Sequence, residues 1–183
     1  SAEMAVTQNR VSSGLRVATV TDDASSFAVA AGIRGDIKAY TAVAAALQGG
    51  VVAGTVAVSA GEQISSRMGD IKAKLVQLSD ESLSSASRST YNSDLASMVT
   101  EVNGYLAQAQ YTGRNLLGSG GGDILIVSNI DGSTVSLRNN DVSDLSLGTI
   151  SSNAVAQAQL SNLAVFKASL DTALASAVSR DAL

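Results

Sequence analysis

The apolar positions of this chain fall into three helical stripes, separated by short polar links and one β-favouring interval. Ile33, Ile37, Tyr40, Ala44 and Leu47 step by 4, 3, 4 and 3 residues, and Ile64, Met68, Ile71, Leu75 and Leu78 repeat that spacing. Such spacing sets side chains on one face of an α-helix. One class at seven-residue intervals (Ile33, Tyr40, Leu47, Gly54, Gly61, Met68, Leu75) runs through both blocks, so the phase survives the glycines. The pattern predicts one helix over about 24–82, loosened near Gly49–Gly50. At 1.5 Å per residue it spans roughly 85 Å, the length of a rod. Its core stripe is expected to be Ile33, Tyr40, Leu47, Met68 and Leu75, mostly buried. Tyr91, Leu95, Met98, Val102 and Tyr105 predict a second helix over about 88–109. The short polar link at Ser84–Ser87 makes it an antiparallel neighbour of the first. Leu160, Leu163, Leu170, Leu174 and Ala177 mark a third helix over about 152–180.

The rest of the chain reads differently. Residues 1–11 look like the end of a polar helix that Ser12-Ser13-Gly14 interrupts, and residues 17–21 favour extended backbone. Asp22 or Asp23 caps the long helix, accepting its free N–H groups and complementing its dipole. A glycine-rich connector, Gly118–Gly122, precedes a β-hairpin over about 123–137, with Ile130-Asp131-Gly132 as its turn. Residues 139–150 look irregular. The expected fold is mainly α: an elongated antiparallel helical bundle or coiled-coil rod with a small β-hairpin. Residues 1–23 form the end of an arm and its connection, and 24–183 form the core.

Composition sharpens this. The chain has 183 residues, 45% of them apolar but only 3% aromatic, so its core is built from small aliphatic side chains suited to closely packed helices. It has no proline, where about nine would be average. Long uninterrupted helices follow. No cysteine or histidine is present. That excludes thiolate chemistry, disulfides, Cys/His zinc sites and Ser-His-Asp triads. The net charge is −4 and no basic run occurs, which argues against nucleic acid as a partner. No run of about 18 consecutive apolar residues occurs, so no membrane span is expected.

The candidate chemistry is thin. Gly118–Asp123 lacks a following Gly-Lys-Ser/Thr and leads into a strand, so it reads as a connector and not as a phosphate loop. Asp22-Asp23 has no companion metal ligands, and Ser12-Ser13-Gly14 has no base to activate a serine. Gly54 and Gly61 lie on the apolar stripe. Either they allow another backbone close approach, or they are tolerated at a cost of about 1 kcal/mol each in helix propensity. No catalytic constellation, metal site or cofactor is expected, and the chain is read as a structural protein and not an enzyme.

Asn9–Arg16, Asp22–Ala30 and Gln110–Leu117 are three segments that resemble bacterial flagellins. Asn9-Arg10-Val11-Ser12-Ser13-Gly14-Leu15-Arg16 is similar to the signature joining their terminal arm to the core. Asp22-Asp23-Ala24-Ser25-Ser26-Phe27-Ala28-Val29-Ala30 is similar to a second motif. Gln110-Tyr111-Thr112-Gly113-Arg114-Asn115-Leu116-Leu117 is similar to an aromatic-Asn-Gly segment, with Thr112 where asparagine is usual. The resemblance implies a secreted, extracellular subunit of the flagellar filament. Its partners would be other flagellin subunits, in a homopolymer or a mixed filament, and the flagellar export machinery and cap. Ser12, Ser13, Gly14, Leu15, Arg16, Asp22 and Asp23 would form the arm–core junction and subunit contacts. Other flagellins insert outer domains near 139–150. Both terminal arms look largely missing, so the chain is expected to be a trimmed fragment and monomeric. A hook–filament junction protein shares the signatures, and an extracellular adhesin or binding rod is the alternative of another class. Many flagellins are read by a vertebrate innate receptor through a core-surface arginine and leucine. In register those positions hold Asp70 and Lys74, and Asp94 replaces a glutamate, so strong recognition is not expected.

Overall fold

The computed structural model describes residues 2–14 and 23–178. The elements are α1 (Ala2–Ser13), α2 (Ala24–Leu78), α3 (Ser85–Gln108), β1 (Gln110–Tyr111), β2 (Arg114–Asn115), β3 (Ile124–Val127), β4 (Thr134–Leu137) and α4 (Asn153–Val178). The fold is mainly α, with two small two-stranded sheets, β1–β2 and β3–β4. The chain divides into two compact units: Ser1–Ala46 with Val127–Ser133, and Leu47–Ile126 with Thr134–Leu183.

In the first unit, α1 stops at Gly14, whose φ of 68° is open to glycine without strain. Helix α2 starts behind Asp23. Its carboxylate accepts from the Ser26 N–H at 3.0 Å and the Ser26 hydroxyl at 2.6 Å, while its carbonyl accepts from the Phe27 N–H at 2.9 Å. Of the two candidate caps, Asp23 therefore fills the role; Asp22 lies outside the described residues. The tip between β3 and β4 is held by Asn129, whose Oδ1 accepts from the Asp131 and Ser133 N–H groups at 3.0 and 2.9 Å. This is a side chain mimicking a backbone turn.

The apolar stripe of α2 does not have one fate. Ile33, Ile37 and Tyr40, expected in the core, are 54%, 59% and 59% exposed. Leu47, in the second unit, is also exposed, whereas Met68 and Leu75 are buried. Length supplies the reason. Helix α2 has 55 residues, but α3 has 24 and α4 has 26, so neither is half as long as α2 and neither can cover it from end to end.

In the second unit the buried face of α2 runs through Ala53, Ala57, Ala60, Ile64, Met68, Ile71, Leu75 and Leu78. Against it pack Leu95, Val102 and Leu106 of α3, and Leu163, Phe166 and Leu170 of α4. Charges fix the α2–α3 register. Lys74 pairs with Asp94 at 3.0 Å and Arg67 with Glu101 at 2.9 Å. Seven residues back on α2 match seven forward on α3, as antiparallel helices require. Helix α2 ends at Leu78, short of the expected 82, and α3 starts at Ser85, earlier than the expected 88. Local capping decides both. The Arg88 guanidinium donates to the Leu78 and Asp80 carbonyls, each at 2.7 Å, placing positive charge at the C-terminal end of α2. The Ser84 hydroxyl accepts from the Ser87 N–H at 3.1 Å, capping α3.

Two glycines of α2 mark close approaches. A Cβ on Gly61 would lie 2.2 Å from Leu174 Cδ2, and one on Gly50 would lie 2.1 Å from Ile126 Cδ1. Helix α2 is unbroken at Gly49–Gly50, against the expected loosening; Gly50 is there because β3 packs on it. Gly54 is buried.

Residues 139–150 lack helix and named strand, as expected, apart from an isolated parallel bridge of Val142 to Gly118, yet they are firmly held. The Asn103 side chain accepts from the Leu145 N–H at 2.8 Å and donates to the Leu145 carbonyl at 2.9 Å. Asn92 does the same to Ile150, at 2.8 and 3.0 Å. The two asparagines are about three helical turns apart, a rise of roughly 16 Å. The five residue steps from Leu145 to Ile150 reach that far only when extended. The segment therefore lies stretched along α3, antiparallel to it, latched at both ends.

Candidate functional site

The candidate features of this chain are exposed faces and one charged cluster. In the first unit Ser12, Ser13 and Gly14 close α1 and are exposed. Asp23 is occupied as the cap of α2. Leu15, Arg16 and Asp22 lie outside the described residues, so of the expected junction the described part is a helix end and a helix start. Beyond Asp23, Val29, Ile33, Ile37 and Tyr40 stand exposed at helical spacing, and a shallow groove is lined by Ser25, Ser26, Val29, Ala30 and Ile33. Large apolar side chains facing water on one helix face are the kind of surface that a partner covers.

In the second unit Asp70, Lys74 and Asp94 belong to one charged face. Asp70 accepts from Arg67 at 3.2 Å. Lys74 donates to Asp94 and stands 4.6 Å from the centre of the Tyr91 ring, a cation–π contact. Arg67 has its pKa raised, first by the charge of Glu101 and then by hydrogen bonds to Asp70 and Tyr105. Arg67 and Glu101 were not singled out from sequence, although a seven-residue spacing of opposite charges on two facing stripes was there to be read; Tyr91 was read only as part of the apolar stripe of α3. Asn92 and Asn103 were missed too, and Asn115 was named only as part of the Gln110–Leu117 motif, without its role. Asn115 donates to the Leu106 carbonyl at 2.7 Å and accepts from the Leu117 and Gly118 N–H groups at 2.9 and 2.8 Å, closing the chain reversal after α3. Lone asparagines give no pattern to read.

The segment where Thr112 replaces the usual asparagine forms a two-residue hairpin. Gln110 faces Asn115 and Tyr111 faces Arg114, while Thr112 and Gly113 have φ of 49° and 79°. A turn with two left-handed residues prefers Asn-Gly, so a β-branched residue carries strain at the first position.

A count of consecutive apolar residues understates α2. By length and composition α2 is apolar enough to cross a membrane. Counting consecutive apolar residues missed this because scattered Ser, Thr, Gly and Gln interrupt the run without adding charge between Lys38 and Glu62. Within α2, Ala53, Ala57 and Ala60 are buried against protein. Among the described residues no group of three or more acidic side chains is gathered as a metal site.

Residues 1–120 match the family model of the bacterial flagellin N-terminal helical region. A flagellin of Brucella melitensis is 38% identical over 124 residues, covering 67% of this chain and 43% of that protein. Flagellin FljK of Caulobacter vibrioides is 27% identical over 173 residues, covering 93% of this chain and 63% of that protein. The crystal structure of Bacillus cereus flagellin shares the fold, with a TM-score of 0.66 at 17% identity, covering 74% of this chain and 81% of that chain. The chain thus spans less than two thirds of the length of these two curated relatives. With its terminal signatures, its long core helix and a family match over 120 of its 183 residues, this chain belongs to the bacterial flagellin family.

Proposed function

We propose that the chain is the core of a structural subunit of the bacterial flagellar filament, exported from the cell and assembled outside it. Its partners are other flagellin subunits, with the export machinery and the filament cap acting before assembly. The observation that carries this reading is the exposed stripe Val29, Ile33, Ile37 and Tyr40. Four large apolar side chains on one face are costly in water and are the kind of surface that helices supplied at assembly would cover. Ser12, Ser13 and Gly14 sit where the arm joins the core, and Leu15, Arg16, Asp22 and Asp23 complete that proposed junction.

Electron microscopy of the full-length protein carrying Ile33→Asp and Ile37→Asp tests the reading. The expected result is loss of filaments with helix content by circular dichroism retained. Normal filaments from that variant would remove the stripe from assembly.

We also propose that the vertebrate innate flagellin receptor reads this core weakly. Asp70 and Lys74 replace an arginine and a leucine, and both side chains are already engaged, with Arg67 and Asp94.

A further inference from the structure

Asn103 has a second property besides its latch: the next residue is Gly104. An asparagine before glycine is chemically exposed. The following backbone nitrogen, unshielded by a Cβ, can attack the side-chain carbonyl carbon. Packing does not demand the glycine. A Cβ at Gly104 would meet nothing nearer than Gln108 Nε2 at 3.9 Å, an ordinary contact. Nor does the backbone, since the residue lies inside α3 with no positive φ. Glycine there weakens the helix relative to alanine.

The fold holds this dipeptide shut in two ways. Helical geometry keeps the Gly104 nitrogen away from the Asn103 side chain and engages its N–H in the helix. The side-chain amide is also tied through both its oxygen and its nitrogen to Leu145. Attack requires the amide to rotate, and rotation breaks both bonds.

We propose that Asn103–Gly104 is a latent deamidation site gated by the 142–150 segment, and that its conversion unlatches that segment permanently. The Gly104 nitrogen loses its proton and bonds to Asn103 Cγ, the bond from Cγ to the amide nitrogen breaks, and ammonia leaves. Water then opens the five-membered imide to aspartate or isoaspartate. Either product lacks the N–H donor that now reaches the Leu145 carbonyl and sets a carboxylate oxygen against that carbonyl instead. Isoaspartate also adds a carbon to the backbone of α3. An opening that would otherwise reverse becomes fixed. The proposal is independent of whether the chain polymerises.

Peptide mapping by mass spectrometry of the chain held at alkaline pH reads the site as a gain of about one dalton at residue 103. Three proteins are compared: the chain itself, Gly104→Ala and Leu145→Pro. Leu145→Pro deletes the N–H that anchors Asn103 Oδ1, and conversion is expected to rise about tenfold as the latch opens more often. Gly104→Ala keeps the latch and shields the nitrogen, so conversion is expected to fall well below that of the chain itself. Hydrogen exchange then follows the converted protein, with faster exchange at Val142–Ile150 than in the unconverted chain. Conversion in Leu145→Pro no faster than in the chain itself, or unchanged exchange after conversion, overturns the proposal. If Leu145→Pro proves unfolded, the Gly104→Ala comparison and the exchange measurement still decide it.

Discussion

The two halves of α2 carry apolar stripes of the same 4, 3, 4, 3 spacing and meet opposite fates. In the half belonging to the second unit, Ile64, Ile71, Leu75 and Leu78 are fully buried. In the half belonging to the first unit, Ile33, Ile37 and Tyr40 stand more than half exposed. Periodicity states which face of a helix is apolar; it does not say what covers that face. Cover depends on how far the partner helices extend, and two helices of 24 and 26 residues cannot line one of 55. An apolar stripe that outruns its intramolecular partners is what a protein built for assembly would carry.

The sharpest way to break this comparison is to truncate one residue from each half. Leu75→Ala removes a side chain with no exposed surface, and a loss of about 2–5 kcal/mol in urea unfolding is expected. Ile37→Ala removes an apolar side chain already in water, so a change within about 0.5 kcal/mol is expected. Comparable losses from both would mean that Ile37 is covered in the free chain, and the contrast would vanish.

Glycine sharpens the comparison, because substitution there is expected to change sign between the halves. A Cβ at Gly35 meets nothing within 4 Å, so Gly35→Ala should stabilise the helix by up to about 1 kcal/mol. A Cβ at Gly61 would lie 2.2 to 2.9 Å from three atoms of Leu174, so Gly61→Ala should cost about 1–3 kcal/mol. Thermal unfolding of the two variants reads the sign directly. If both stabilise, Leu174 moves aside freely and the close approach has no energetic content.

How much of this was legible follows from the kind of signal each feature leaves. Helices α2, α3 and α4 were visible because their apolar residues repeat, and the β3–β4 hairpin because an Asp-Gly turn joins two β-favouring runs. The motifs at Ser12–Arg16 and Asp22–Ala30 carried the family without any structural derivation. The latches were not legible. Asn92 and Asn103 act on backbone groups of residues far along the chain, and backbone groups are the same at every position, so no sequence pattern announces the pairing. The β1–β2 hairpin was hidden because Thr112 stands in a left-handed position that favours asparagine. The glycines at 50 and 61 could be placed on or near the stripe, but only the neighbours Ile126 and Leu174 show what they admit.

The smallest expected effect lies where the buried half of α2 ends. Asp80 accepts from the hydroxyl and the N–H of Ser82, at 2.7 and 2.8 Å, and these bonds hold its carboxyl below the ordinary carboxylate range, with Arg88 adding a little. A carboxylate with a depressed folded pKa contributes stability above its unfolded pKa and loses that contribution as pH falls through the folded value. The window is therefore acidic, below about pH 4. The group is open to solvent, so its effect should be much smaller than that of Leu75→Ala. Asp80→Asn keeps the side-chain carbonyl that can accept in the same turn but removes the titration. The gap in urea midpoint between the chain and Asp80→Asn should be widest near neutral pH and close as pH falls through the window. Other carboxylates titrate in both proteins, so the difference between the two curves, and not either alone, isolates this turn. A gap that stays constant with pH would mean that the Asp80–Ser82 turn persists in the unfolded chain. The end of α2 would then be set by the Arg88 guanidinium alone, acting on the Leu78 and Asp80 carbonyls.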